Sequence, residues 1–294
     1  MNPRRHGGDA EGLPHGFGGF LRSLLDGIPW SERAEGVEEI RAEPPAGGLL
    51  RLHNANGTTR VCGEDRSDVL VRASKRARAE SEDAARQLLR DIRIALSREG
   101  DALEFEVEVP RRWNRRGHAN LEVHVPRGLC VEITAVNARV EVEGLRGSVV
   151  ARSSNGSARI CDVIGDIEVS TSNARVFCSC TSGRLVARSS NGKIVLKEHR
   201  GDVDASTSNG LITVSLEEVG SSGVQLATSN GRIALELPDE VDADVDLRVD
   251  NGVIRNDREL DRAVRERDGL VRGRLGAGGP LIKLRTSNGT ISLR

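Results

Sequence analysis

The chain has 294 residues, and its 43 basic and 44 acidic side chains leave a formal net charge of −1. That length holds one large or two ordinary domains with a sizeable core, while the charge balance excludes a chain-wide field for nucleic acid or an anionic membrane. Four Phe, two Trp and no Tyr largely exclude ring-stacking surfaces for sugars or single strands, so the body must be built from Val, Ile, Leu and Ala.

Residues 1–35 read as a tail. Phe17, Phe20, Leu21, Leu24, Leu25 and Ile28 recur at helical spacing with Arg22, Ser23 and Asp26 opposite, which predicts a short amphipathic helix over 17–28. It would cap the main domain or make a peripheral membrane contact. Arg22 and Asp26 interrupt the one greasy stretch, and no run approaches ~20 apolar residues. Neither a conventional signal peptide nor a transmembrane segment is expected. The expected location is therefore cytoplasmic or peripherally membrane-associated, with export left open.

Residues 36–294 read as one continuous domain. Leu50 and Leu52 precede Asn56, and Thr59 and Val61 follow it, giving two short alternating strands about an Asn-Gly turn. A basic cluster, Arg72, Lys75, Arg76 and Arg78, comes next. Ser81 then opens a helix insert over about 81–94 with Ala84, Ala85, Leu88, Leu89 and Ile92 on one face. Two alternating strands follow, Leu103-Phe105-Val107-Val109 and Leu121-Val123-Val125. Between them Arg111, Arg112, Arg115 and Arg116 flank Trp113 in a basic loop.

From there the chain repeats. Asn137, Asn155, Asn173, Asn191 and Asn209 are 18 residues apart, Asn230 and Asn251 follow at steps of 21, and Asn288 after 37. Gly147, Gly165, Gly183 and Gly201 keep the 18-residue step. Positions −6, −4, +3 and +5 about each Asn are apolar almost throughout: Leu185, Ala187, Ile194 and Leu196 surround Asn191, and Val224, Leu226, Ile233 and Leu235 surround Asn230. Two strands and two turns per repeat make one coil, so the predicted fold is all-β, a single-chain β-solenoid (β-helix or β-roll-like) with ~18-residue coils.

Coils stacked about 4.8 Å apart place Asn over Asn and predict an Asn ladder of side-chain amides. Ala138 and Ala174 stand where other coils have Gly, so Asn137 and Asn173 are expected to carry the positive φ. Asp166, Arg184 and Asp202 are expected to stack as an alternating charge row. An irregular insert over about 257–280 ends in Gly276-Ala277-Gly278-Gly279. The last strand, Ile291–Leu293, predicts a C-terminal coil without a cap.

The run of Ser/Thr-x-Asn-Gly turns followed by Ile-x-Val resembles the bacterial putative-adhesin family of toast-rack-like β-solenoids. So do the Asn54-Ala55-Asn56-Gly57 turn, the helix insert and Val125-Pro126-Arg127-Gly128 before the coils resume. The resemblance covers residues 36 to 294. It implies the fold and a binding role, brings no catalytic residues with it, and many members are exported or tethered to the envelope.

The chemistry is sparse. Asp162, Asp166, Glu168, Asp202 and Asp204 are the carboxylates a glycan-cleaving site would draw on. Asp166 and Asp202 are expected about 9.6 Å apart, two coils, which is wide even for an inverting pair. Cys62, Cys130, Cys161, Cys178 and Cys180 form neither a disulfide framework nor a metal set, and read as one core Cys with free thiols. His6, His15, His53, His118, His124 and His199 read as surface or loop residues, and Ser153 and Ser189 as turn-formers. No catalytic, cofactor or metal residue is assigned. The expected function is a non-enzymatic adhesin-like or envelope-associated binding module for a protein or polymer partner. The alternative is an intracellular scaffold that self-associates through its solenoid ends, and a polysaccharide-cleaving enzyme is a remote third. Nucleic acid is not expected, and the basic loop 111–116 is either a hold for an acidic polymer or a solvated loop.

Overall fold

The computed structural model describes residues 32–110, 117–266 and 269–294. The helix expected at 17–28 and the loop Arg111–Arg116 with Trp113 lie outside the described residues.

The first part contains β1 (Glu32–Ala42), β2 (Leu49–Asn54), β3 (Gly57–Glu64) and β4 (Val69–Ala79), then the helix α1 (Glu82–Asp91), then β5 (Arg93–Glu99), β6 (Ala102–Glu108) and β7 (Gly117–Pro126). The middle runs through β8 (Cys130–Ala135), β9 (Arg139–Glu143), β10 (Val149–Ser153), β11 (Ala158–Ile164), β12 (Ile167–Thr171), β13 (Val176–Ser189), β14 (Ile194–Asn209) and β15 (Ile212–Glu236). The last part is β16 (Ala243–Asn256), β17 (Asp261–Glu266), β18 (Leu270–Leu275) and β19 (Leu281–Leu293). β1 begins at Glu32, inside the segment read as tail.

The middle is the solenoid that the repeat predicts. Strands before each Asn form one face of the stack, strands after it form the other, and all pair in parallel at the 18-residue register: Val149 with Ile167, Val176 with Ile194, Leu185 with Val203. Alternate side chains turn inward, so Ile160, Val176, Leu185, Ile194, Leu196 and Ile212 are fully buried in one continuous core. Val, Ile, Leu and Ala supply most of this core, with Cys178 among them.

The ladder runs the length of the stack. Nδ2 of each of Asn137, Asn155, Asn173, Asn191, Asn209 and Asn230 donates to Oδ1 of the asparagine on the preceding coil, at 2.8–3.1 Å, with Asn56 the first acceptor. Beneath it, Ser153 Oγ and Thr171 Oγ1 donate to the carbonyls of Ala138 and Gly156, and Ser153 Oγ accepts from the Gly156 amide. Ser153 is thus a turn-former. The glycine after Asn serves close approach: a Cβ on Gly192 would lie 1.7 Å from the Ala174 carbonyl oxygen. The expected positive φ at Asn137 and Asn173 is not found. Among the described residues the non-glycine positions with positive φ are Asp162, Cys180 and Glu198, stacked at the opposite corner, and Arg262.

Where the step lengthens to 21, the extra residues sit far from the ladder. Gly201 pairs with Val219 but Val203 with Val224, so the longer corner bulges out and Asp202 Oδ1 accepts from the Ser222 amide at 2.8 Å. The expected Asp166–Arg184–Asp202 row stacks in register but forms no ion pair among the described residues. Arg184 and Asp202 are register partners, yet Asp202 is spent on the corner.

The ends depart from chain order. Asn288 donates to Asn230 at 2.9 Å and Asn251 to Asn288 at 3.2 Å, so β19 lies between β15 and β16, parallel to both. The expected uncapped C-terminal coil is thus overturned: Ile291 and Leu293 are fully buried inside the stack. On the first face β18 closes the outer end antiparallel to β16, and β17 pairs antiparallel with β18 beyond it. On the second face the stack ends on Gly252–Asn256 of β16.

The other end mirrors this plan. β2 and β3 are the first coil in sequence but the second in space, flanked by β8 and β9 on one side and by β6 and β7 on the other. β5 closes the first face antiparallel to β6, while β4 closes the second antiparallel to β7 and β1 pairs antiparallel with β4 beyond it. α1 packs on β1 and β4 through Ala85 and Leu88, with Ile92 buried at its C-cap. Ser81 Oγ caps its N-terminus by accepting from Ala84 N.

Candidate functional site: the two lateral faces

The outward columns carry the polar chemistry, because alternation leaves them the only positions facing water. On the first face, cations and carboxylates interlock across coils. Arg51 bonds Glu99 at 2.8 Å and Glu132 at 3.0 Å, Arg152 bonds Glu168 at 2.8 Å, and Arg188 is paired with Asp204. Arg272 and Arg274 hold Asp246 and Asp244 at 3.3 and 3.1 Å. The Arg188 guanidinium pKa is raised by its bond to Asp204. A shallow groove of about 620 Å³ lies beside the ladder on this face, lined by Ser206, Ser208, Ser229, Ser287, Arg248 and Arg285.

The second face begins the same way. Arg60 meets Glu143 at 3.4 Å and Arg139 meets Glu141 at 3.9 Å. Further along, the pairing stops. Exposed Arg159, Arg175, Lys193 and Lys197 form no ion pair among the described residues. Instead the guanidinium carbons of Arg159 and Arg175 sit 4.8 and 5.2 Å from the centroid of the Phe177 ring. These three side chains line a cavity of about 340 Å³ together with Arg139, Glu141 and Ser157. Val195, beside Phe177 on the outer surface, is only 8% exposed.

The sequence-nominated carboxylates do not assemble into a reacting pair. Asp162 is held by Arg146 at 3.1 Å, Glu168 by Arg152, Asp204 by Arg188, and Asp202 by a backbone amide. Among the described residues no three His, Cys, Asp or Glu side chains are grouped to hold a metal ion, and no helix is long and apolar enough to cross a membrane. The cysteines are free, with Cys178 buried as the core thiol. Burial raises the pKa of Cys178 and Cys62, and the bond to Glu198 raises that of Cys180, so all three favour the unreactive thiol.

His199 corrects the surface reading of the histidines. It is fully buried, with Nδ1 2.9 Å from Thr181 Oγ1 and Nε2 3.4 Å from the Asp202 carbonyl, and burial lowers its pKa. His53 and His124 do face outward, against Glu104 at 3.3 Å and Glu64 at 2.6 Å. Three of the four cations of the basic cluster on β4 are paired by β1: Arg72 meets Glu39 at 3.4 Å, Lys75 meets Glu38 at 2.5 Å and Arg76 meets Glu35 at 3.1 Å. Sequence reasoning missed the patch about Phe177. Its one available signal was the i, i+18 stacking of Arg175 on Lys193 and of Arg159 on Phe177.

No known family profile and no curated protein matches the chain. Among solved structures, the chain is similar to a putative cell adhesion protein from Clostridium sporogenes, at 10% identity over 88% of this chain and 99% of that one, TM-score 0.28. It is similar to a putative lipid binding protein from Parabacteroides distasonis, at 10% identity over 91% and 99%, TM-score 0.34. A putative adhesin from Parabacteroides merdae aligns at 7% identity over 90% and 97%, TM-score 0.31.

Proposed function

We propose that the chain is a non-enzymatic, adhesin-like interaction module whose lateral faces, and not its ends, meet the partner. The observation that carries this reading is the closure of the stack: antiparallel strands cap three of its four outer edges. Each of these edges ends in antiparallel pairing that interrupts the parallel coil, and β1 adds Glu32, Glu35, Glu38 and Glu39 to one outer edge, charges that oppose edge pairing. What remains is a rigid body with two long polar faces, its strands held in register by an unbroken amide ladder. Of the five carboxylates that a glycan-cleaving site would use, Asp162, Glu168, Asp202 and Asp204 are engaged by arginines or backbone, which leaves Asp166 without a partner carboxylate and supports binding over cleavage.

The self-associating scaffold keeps one point in its favour, the parallel edge at Gly252–Asn256 with Val253 54% exposed. Sedimentation velocity over a hundredfold concentration range separates the two readings. A single monomeric species is expected, and growth into filaments overturns the lateral-face reading. An envelope-associated role is tested by protease accessibility in intact cells alongside fractionation. Digestion from outside supports it, and full protection with recovery in the soluble fraction rejects it.

A further inference from the structure

We infer that the patch formed by Arg159, Arg175, Lys193 and Lys197 around Phe177 binds an acidic polysaccharide, a chain bearing uronate or sulfate groups. The inference rests on the lateral-face reading above and names its ligand class.

The first argument is charge. On the first face several cations meet carboxylates on neighbouring coils, as in Arg51–Glu132, Arg152–Glu168 and Arg188–Asp204. On the second face Glu143 and Glu141 are already engaged by Arg60 and Arg139. The next coils then expose four cations that form no ion pair among the described residues. Like charges gathered on adjacent rungs raise a local positive potential, and an external anion relieves it.

The second argument is preparation. Both guanidiniums are laid on one aromatic ring, at 4.8 and 5.2 Å, which restrains two long side chains before any ligand arrives. A guanidinium resting on a ring keeps its planar fork of N–H donors free at the edge, the geometry that grips carboxylate or sulfate in pairs of bonds. Phe177 and the nearly covered Val195 give an apolar floor between the cations, suited to the C–H face of a pyranose ring.

The third argument is periodicity. Register places Arg175 directly beside Lys193 on the next coil, so the cations recur along the stack at about 4.8 Å per rung. That row favours an extended polymer with charges repeated along it over a single small anion. A single-stranded nucleic acid would need rings free to stack its bases, and the one aromatic ring here already carries two guanidiniums.

The test uses the full chain with polygalacturonate and dextran sulfate as probes, and neutral dextran and a poly-dT oligonucleotide as comparators, read by calorimetry. One or both acidic glycans should bind with an affinity that falls with salt. The Arg159→Ala/Arg175→Ala double variant should bind about tenfold or more weakly, the scale expected when charge-assisted bonds are lost, while Arg248→Ala on the first face should bind normally. The three substituted cations are exposed, so an unchanged melting curve confirms that each variant is folded. Absence of glycan binding, binding unaffected by the double substitution, or tighter binding of poly-dT overturns the inference. Lack of glycan binding by a protein that sediments as a monomer removes this site alone, whereas filament formation removes the lateral-face reading on which it rests.

Discussion

The middle of the stack and its two ends bury the same kind of aliphatic core by different means. Between Asn137 and Asn209 each coil is covered by the next in sequence, so local repetition supplies both neighbours of every strand. At either end no such neighbour exists. There the chain runs outward, lays down antiparallel strands, and then returns to fill a gap: β8 and β9 on the inner side of β2 and β3, β19 between β15 and β16. Repetition extends a solenoid, and breaking chain order is what stops it.

The largest expected effect comes from deleting residues 281–294. If β19 were the last coil, its loss would trim the end. Because it is an inner coil carrying buried Ile282, Leu284, Ile291 and Leu293, each worth about 1.5–3 kcal/mol on burial, its removal should strip amide-exchange protection from β16 to β18 and leave β10 to β13 protected. Retained protection in β16 would refute the strand order.

Ile194→Asp places an unpaired charge at a fully buried position of the middle and should cost about 3–5 kcal/mol. Val264→Asp in the end hairpin, 52% exposed, should stay within about 0.5 kcal/mol. Urea unfolding reads both, and equal costs would erase the distinction between inner and outer columns.

Asn173 bonds on both sides in the ladder, whereas Asn251 is its last member and bonds only Asn288 within it. With net amide bonds worth about 0.5–1.5 kcal/mol each, Asn173→Ala should lower stability roughly twice as much as Asn251→Ala. Similar values for the two would mean that the ladder is decoration and not a continuous chain of bonds.

The smallest effect is with pH. Burial lowers the pKa of His199 in the middle below 6.5, and burial followed by Arg76 and Arg78 lowers that of His118 near the end. The unfolded chain therefore takes up these protons first as the solution is acidified. Their stabilising contribution is complete above pH 6.5 and declines as pH falls through the folded values. His199→Gln should flatten part of the stability slope below pH 6.5, and an unaltered slope would show that His199 takes up its proton over the same pH range folded and unfolded.

These contrasts also explain what could be read in advance. The helix came through because Ser81 and its apolar face are local signals, and the coil register because 18-residue spacing is written in every turn. His199 was misplaced because its column alternates Val163, Thr181 and His199, and a polar pair facing inward breaks the pattern that marks a core. The positive φ expected at Asn137 and Asn173 failed because Gly after Asn answers a carbonyl on the next coil, a contact invisible within one turn. The Phe177 patch stayed hidden because its members come from different coils and none is unusual alone.

The sequence by itself determined the coil, its inward columns and the ladder, since each depends on residues one repeat apart whose side chains must alternate in and out. Tertiary structure alone decided where the stack stops, which strand lies beside which at its ends, and where cations are left without carboxylates. Those outcomes depend on pairings between distant segments, such as Asn230 with Asn288 and Asn56 with Asn137. Loop closure sets only a slowly growing cost on such distances, so short-range patterning cannot choose among them.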